Sequence, residues 1–189
     1  KMCKLDSDKT AVVLGCGMEG LLTVAALKTL GINKIIVIDK ESEKSRAMEF
    51  GAWEFIGSHG KNGVAGVKGK IRAAAGDMAD AVFICTDSPM GRNVARRFMK
   101  NSGSICEMGF LCGWRRTPTA RYFEDSMPAG GRFYAARDYE NCMNFLAKAA
   151  EMKLPLYKLI THRYKLEEIN EAMWTVVREE GLGIAVFNR

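Results

Sequence analysis

Gly15, Gly17 and Gly20 form a G-x-G-x-x-G spacing directly after the apolar run Ala11–Leu14 and directly before a helical pattern that begins at Met18. That order of elements suits a phosphate cradle. Gly15 makes the tight turn, Gly17 lets the backbone approach a pyrophosphate, and Gly20 lets the helix pack closely on the strand. The helix N-terminus then presents unpaired N–H groups and a positive dipole end to the anion. Asp39 closes the next apolar run, where its carboxylate would accept hydrogen bonds from the adenosine ribose hydroxyls and repel a 2′-phosphate. The combination predicts a dinucleotide site that takes NAD in preference to NADP.

The other polar groups predict less chemistry. His162, within Thr161-His162-Arg163, reads as structural, and His59 as an exposed residue of a glycine-rich stretch. Asp87, beside Thr86 and before Pro89, suits a turn cap. The pairs Glu167-Glu168 and Glu179-Glu180 read as solvated helix faces, and Arg115-Arg116 as a surface pair. No residue has the setting of a catalytic acid, base or metal ligand. The six cysteines (Cys3, Cys16, Cys85, Cys106, Cys112 and Cys142) include no C-x-x-C pair, and they read as reduced thiols of a cytoplasmic protein.

The elements needed to position the glycine turn are legible from periodicity. Nearly continuous apolar runs at Ala11–Leu14, Lys34–Ile38, Trp53–Ile56, Ala81–Cys85 and Ser104–Met108 predict buried parallel strands. Helices are predicted over Met18–Leu30, Ser42–Phe50, the region of Ile71, and Met90–Lys100. Right-handed crossovers between them give a doubly wound α/β sheet, the Rossmann arrangement. Residues 111–130 read as a long polar loop, followed by a strand over Phe133–Ala136 and a helix over Tyr139–Met152. The tail then reads as extended at Lys158–Tyr164, helical at Leu166–Val177 and extended at Ile184–Phe187. The predicted division is residues 1–152 for the dinucleotide domain and 153–189 for the tail.

Composition sets the bounds. The 189 residues are 48% apolar and 26% charged, values of an ordinary globular chain long enough to bury a core without metal or disulfide staples. The net charge of +6 is spread along the chain rather than gathered into a basic stripe interleaved with aromatics, so no nucleic-acid partner is expected. No uncharged apolar run reaches the roughly 18 residues of a membrane span. The two aspartates and the glycine pattern near the start argue against a signal peptide. The chain begins at Lys1, so a longer protein is expected.

Across nearly its whole length the chain resembles the cofactor-binding half of the medium-chain, zinc-type alcohol and polyol dehydrogenases. The resemblance runs from AVVLGCGMEG through IDKESEKSRAMEFGA, DAVFICTDSP and SGSICEMGF to LITHRYKLEEINEAMWTV, the last similar to the family's return into its catalytic domain. It implies an oxidoreductase whose nucleotide-binding domain orients NAD for hydride transfer with a small alcohol or polyol. Carried over by position, Lys44 becomes a second contact to the adenosine ribose, with Met18, Glu19 and Lys40 completing the near side. Thr86, Gly109 and Phe110 would line the nicotinamide side, and Tyr134–Ala136, Ala135 among them, would meet the carboxamide through backbone groups. The strand around Phe133–Ala136 would also form a homodimer edge.

The chain departs from that pattern in three places. Glu19 stands where the family has a small apolar residue behind the nicotinamide ring. Ala185 stands where a basic residue commonly reaches the pyrophosphate. The zinc-bearing catalytic domain is absent, so zinc is expected only there and this part alone would be inactive. Two alternatives fit the same glycine motif: a non-catalytic module that senses NAD(H), and an S-adenosylmethionine-dependent methyltransferase. The return segment speaks against the first, and the glycine pattern and topology against the second.

Overall fold

A computed structural model of the chain describes residues 5–58, 63–86, 89–108, 138–178 and 181–187. The chain divides into two compact units, Lys1–Leu154 and Pro155–Arg189.

The first unit is built on five strands: β1 (Thr10–Leu14), β2 (Lys34–Asp39), β3 (Glu54–Gly57), β4 (Ala79–Ile84) and β5 (Met99–Glu107). They form one sheet in the order β3-β2-β1-β4-β5, and every pairing is parallel. Parallel strands need crossovers. These are α1 (Met18–Thr29), α2 (Lys44–Glu49), α3 (Gly63–Ala75) and α4 (Pro89–Ala95), with α5 (Asp138–Glu151) following β5 in the described chain.

Both faces of the sheet are covered, which explains the unbroken apolar runs in the sequence. Val12, Leu14, Ile36, Ile38, Val82 and Ile84 pack in one core with Val67 and Ile71 of α3. Their strand neighbours Ala11, Val13, Ile35, Val37 and Ala81 are equally inaccessible to solvent. Helix α1 buries Gly20, Leu21, Thr23, Val24, Ala25 and Leu27, so little of its circumference is left to water.

The strand order reverses at β1. The chain moves outward from β1 to β2 and β3, then crosses back to place β4 on β1's other side. A crevice opens at the carboxyl ends of strands at such a reversal, and it is where α/β sheets bind ligands. Here the reversal falls between β1 and β4, whose carboxyl ends lead into Gly15 and Cys85.

Two helices of the first unit differ from the periodicity reading, and in the tail 3₁₀ turns at Leu156–Leu159 and Leu166–Glu168 delay the predicted strand to Ile160 and the predicted helix to Ile169. The predicted helix Ser42–Phe50 begins as a 3₁₀ turn over Glu41–Glu43 and becomes α-helical only at Lys44. The predicted helix Met90–Lys100 ends earlier: α4 gives way to a 3₁₀ turn at Arg96–Phe98, and β5 starts at Met99. The β4–β5 register explains the second difference. Ala79 pairs with Met99 but Ala81 with Ser104, so β5 carries extra residues across an irregularity. Gly103 permits it, since a Cβ there would lie 2.9 Å from the Asp80 carbonyl oxygen. Lys100 anchors the extra length by an ion pair with Asp80 at 2.9 Å. Burial raises the Asp80 carboxyl, but the Thr10 N–H and Lys100 outweigh it and leave its pKa below the ordinary value.

Cys16, Cys85 and Cys142 are free thiols, whereas Cys106 on β5 is disulfide-bonded. That corrects the reading of reduced thiols throughout. A buried strand position does not exclude pairing, which depends on Cα separation and Cβ direction rather than on sequence spacing. Cys3 and Cys112 lie outside the described residues.

The second unit holds β6 (Ile160–Lys165), α6 (Ile169–Val177) and β7 (Gly183–Phe187), the two strands forming a parallel pair. Tyr164 of β6 and Thr175 of α6 share a hydrogen bond of 2.7 Å. His162 stacks on Tyr164 and hydrogen-bonds the Thr161 hydroxyl at 3.0 Å. Ala185 sits on β7 opposite Arg163. Among the described residues, no helix is long and apolar enough to cross a membrane.

Candidate functional site

The glycine turn is held by backbone geometry that its neighbours dictate. Gly15 has φ +100°, a conformation L side chains rarely adopt, and its N–H donates to the Ile38 carbonyl at 3.0 Å. A Cβ at Gly15 would lie 2.5 Å from the Cys85 carbonyl oxygen and 3.2 Å from the Thr86 Cβ. This turn is therefore wedged against the end of β4. At Gly20 a Cβ would run into the Gly15 carbonyl, so only glycine lets α1 close on the turn.

Gly17 is different. It is exposed, it precedes α1 in an extended conformation, and a Cβ there would meet nothing within 4 Å among the described residues. No side chain caps the helix, and the first internal bond runs from Leu21 N–H to the Gly17 carbonyl at 2.9 Å. Among the described residues the start of α1 is thus a helix N-terminus without a side-chain cap, a setting that favours an anion.

Asp39 adjoins this opening by direct bonds. Its Oδ2 accepts the Cys16 N–H at 2.5 Å, and its Oδ1 accepts the Lys40 N–H at 2.6 Å. The carboxylate thereby ties the glycine turn to the end of β2, a role sequence reading did not assign. Each oxygen keeps a further lone pair for an outside donor. Lys40 and Lys44 are exposed beyond it, with Lys44 Nζ 3.9 Å from Glu41 Oε1.

Two thiols flank the site without reactive character. Burial, with the nearby Asp39 and Glu43 carboxylates, pushes the Cys16 thiol up to about 12. The Cys85 thiol, 3.5 Å from the Thr23 hydroxyl, is pushed up to about 11, chiefly by burial and partly by Glu19. Glu19 is exposed at the helix start. Met18 is exposed beside it.

The structure therefore brings Gly15, Gly17, Met18, Glu19, Gly20, Asp39 and Thr86 together around the crevice, with Lys40 and Lys44 on the β2 side. Gly91 of α4, missed by sequence reading, admits the Thr86 Cγ2 where its own side chain would otherwise sit. Only the helical position after Thr86 could have hinted at it. Gly109, Phe110 and Tyr134–Ala136, with Ala135 and the Phe133–Ala136 strand, lie outside the described residues. So do His59, Asp87, Arg115-Arg116 and Glu179-Glu180. Among the described residues, no group of three or more His, Cys, Asp or Glu could hold a metal ion.

Comparison with known proteins places this arrangement. A family model described as zinc-binding dehydrogenase matches residues 20–148. Sorbitol dehydrogenase 1 of Saccharomyces cerevisiae is 29% identical over 169 residues, covering 85% of this chain and 46% of the yeast protein. The chain spans about half the length of the curated relatives it matches. Among solved structures, an alcohol dehydrogenase from Thermotoga maritima superposes with a TM-score of 0.85 at 21% identity, over 98% of this chain and 52% of that one. An alcohol dehydrogenase from Escherichia coli CFT073, complexed with NADH, gives a TM-score of 0.70 at 20% identity, over 94% of this chain and 51% of that one. At those identities the structural likeness speaks for the fold.

Proposed function

This chain belongs to the zinc-binding dehydrogenase family, and from that premise we propose that it holds and orients NAD(H) for hydride transfer to or from a small alcohol or polyol. One observation carries the reading: an uncapped helix N-terminus opens over Gly17, with a carboxylate bonded to the same turn. The cofactor, when bound, supplies the hydride chemistry. The residues of this chain supply position and charge.

The fit is built from the residues present. The backbone at Gly17 and the start of α1 would hold the pyrophosphate, since open space lies where a side chain would stand. The free lone pairs of Asp39 would accept the adenosine ribose hydroxyls, with Lys44 beside them. Thr86 would border the nicotinamide side, and Gly109, Phe110 and Ala135 complete that side on the resemblance alone. No step is assigned to zinc in this chain. In the proposed parent enzyme it belongs to a catalytic domain outside these residues.

The sorbitol dehydrogenases among the relatives support a polyol or alcohol as substrate. A homodimer along Phe133–Ala136 and a cytoplasmic location belong to the same proposal and rest on the resemblance. The Cys106 disulfide is uncommon for that compartment.

Titration of the chain with NADH, read by nicotinamide fluorescence, tests the proposal. Saturable binding that weakens in Asp39→Ala is expected. Absence of NADH binding at millimolar concentration overturns the cofactor assignment.

A further inference from the structure

We infer that Glu41 is a second determinant of cofactor choice, placed by Gly57 so that it holds Lys44 away from a 2′-phosphate. The inference rests on the NAD(H) reading above. Its starting point is a missing side chain. Gly57 ends β3 directly opposite Asp39 in the strand register, and the Glu41 Oε2 occupies the space a Cβ at Gly57 would fill. The other oxygen, Oε1, lies 3.9 Å from Lys44 Nζ. The Glu41 side chain thus folds back across the end of β3, beside the β2 terminus that carries Asp39.

The charges on this rim follow a pattern. Lys44 faces Glu41 three residues earlier, and Arg46 binds Glu43 three residues earlier at 2.7 Å. A 2′-phosphate brings close to two negative charges and needs cations free to receive them. Here Lys44 and Arg46 already face a carboxylate of their own turn, and the exposed Lys40 is the third cation of the rim. Neutral ribose hydroxyls require no such cation, because Asp39 accepts them. Asp39 and Glu41 therefore act in the same direction by different means. Asp39 repels the phosphate at the hydroxyl position, while Glu41 competes with it for the lysine that would otherwise attract it.

Two variants reach Glu41 by separate routes. Glu41→Gln removes its charge in place. Gly57→Ala fills the space with a methyl group and pushes the carboxylate off the rim. Gly57 does not need a left-handed backbone conformation, and the displaced atom is the far end of a flexible side chain, so the fold is preserved. NADH and NADPH affinities are measured for the unaltered chain and both variants, at low and at high ionic strength. In each variant the NADH-over-NADPH ratio falls roughly three- to tenfold at low salt, as expected for one charge acting on a phosphate near a solvated surface. The change shrinks in molar salt, where the Debye length is about 3 Å. A ratio that moves in neither variant or in only one, or that moves equally at both salt concentrations, overturns the inference. Failure of the unaltered chain to bind NADH is a different result, and it removes the proposed function itself.

Discussion

Replacing Asp39 with alanine tests whether this carboxylate does two jobs or one. Cofactor binding alone would make it a surface acceptor whose loss leaves the empty protein untouched. The structure shows instead a carboxylate that accepts the Cys16 N–H at 2.5 Å and the Lys40 N–H at 2.6 Å. Cys16 is 2% exposed, so in Asp39→Ala its N–H loses its acceptor where water reaches poorly. A backbone donor left in that state, having lost a charged partner, costs about 2 kcal/mol. For a chain of this size that lowers the melting temperature by roughly 4–8 °C. The Lys40 bond is exposed and adds little. Binding suffers separately: loss of a charged acceptor for two ribose hydroxyls weakens NADH roughly ten- to a hundredfold. The two effects are read by thermal unfolding without ligand and by fluorescence titration well below the melting point. A third readout is the Cys16 thiol. Burial is the first cause of its high pKa and Asp39 the second, so the variant's thiol should ionise at lower pH yet stay above the ordinary value. An unchanged melting temperature together with weakened binding would refute the structural half of this reasoning.

Other outcomes follow from the same geometry. Gly15→Ala meets both a positive φ and the Cys85 carbonyl, so it should destabilise the protein by at least about 2 kcal/mol in denaturant titration. Gly17→Ala meets nothing, so it should unfold within about 0.5 kcal/mol of the unaltered chain while weakening NADH, because its methyl group enters the space assigned to the pyrophosphate. Burial holds the Cys16 and Cys85 thiols protonated in the folded state up to about 12 and about 11, against 9.0 for a thiol exposed on unfolding. Their contribution to stability is complete below that lower value and is lost as pH rises above it, at up to about 1.4 kcal/mol per pH unit for each thiol. Equilibrium unfolding between pH 8 and pH 10.5 checks the sign. Mass mapping after brief alkylation at pH 8 should find exposed Cys142 labelled ahead of Cys16 and Cys85.

The strands were legible because burial on both faces leaves a run of branched apolar residues, as in Lys34-Ile35-Ile36-Val37-Ile38, that few other settings produce. The glycine turn was legible because Gly15 and Gly20 each answer a contact that forbids a side chain. What escaped the sequence depends on distance rather than pattern. Nothing in the residues around Asp39 says that its oxygens are already bonded to Cys16 and Lys40. Gly57 and Glu41 lie in different elements, and only the β2–β3 register brings them together. The end of α4 was misjudged because Arg96-Arg97-Phe98-Met99-Lys100 continues a helical pattern, while Lys100 is drawn to Asp80, twenty residues earlier.

Helix α1 has one more consequence, visible in how slowly its backbone should exchange with solvent. Most of its side chains are buried, and β1 beneath it is covered on both faces, so no small movement exposes either. Their amide hydrogens should exchange only when the whole first unit opens, unlike those at the fraying ends of elements nearer the surface. A ligand bound at the start of α1 would then slow exchange across the entire sheet, and the protection it confers would report its binding energy through residues far from any contact.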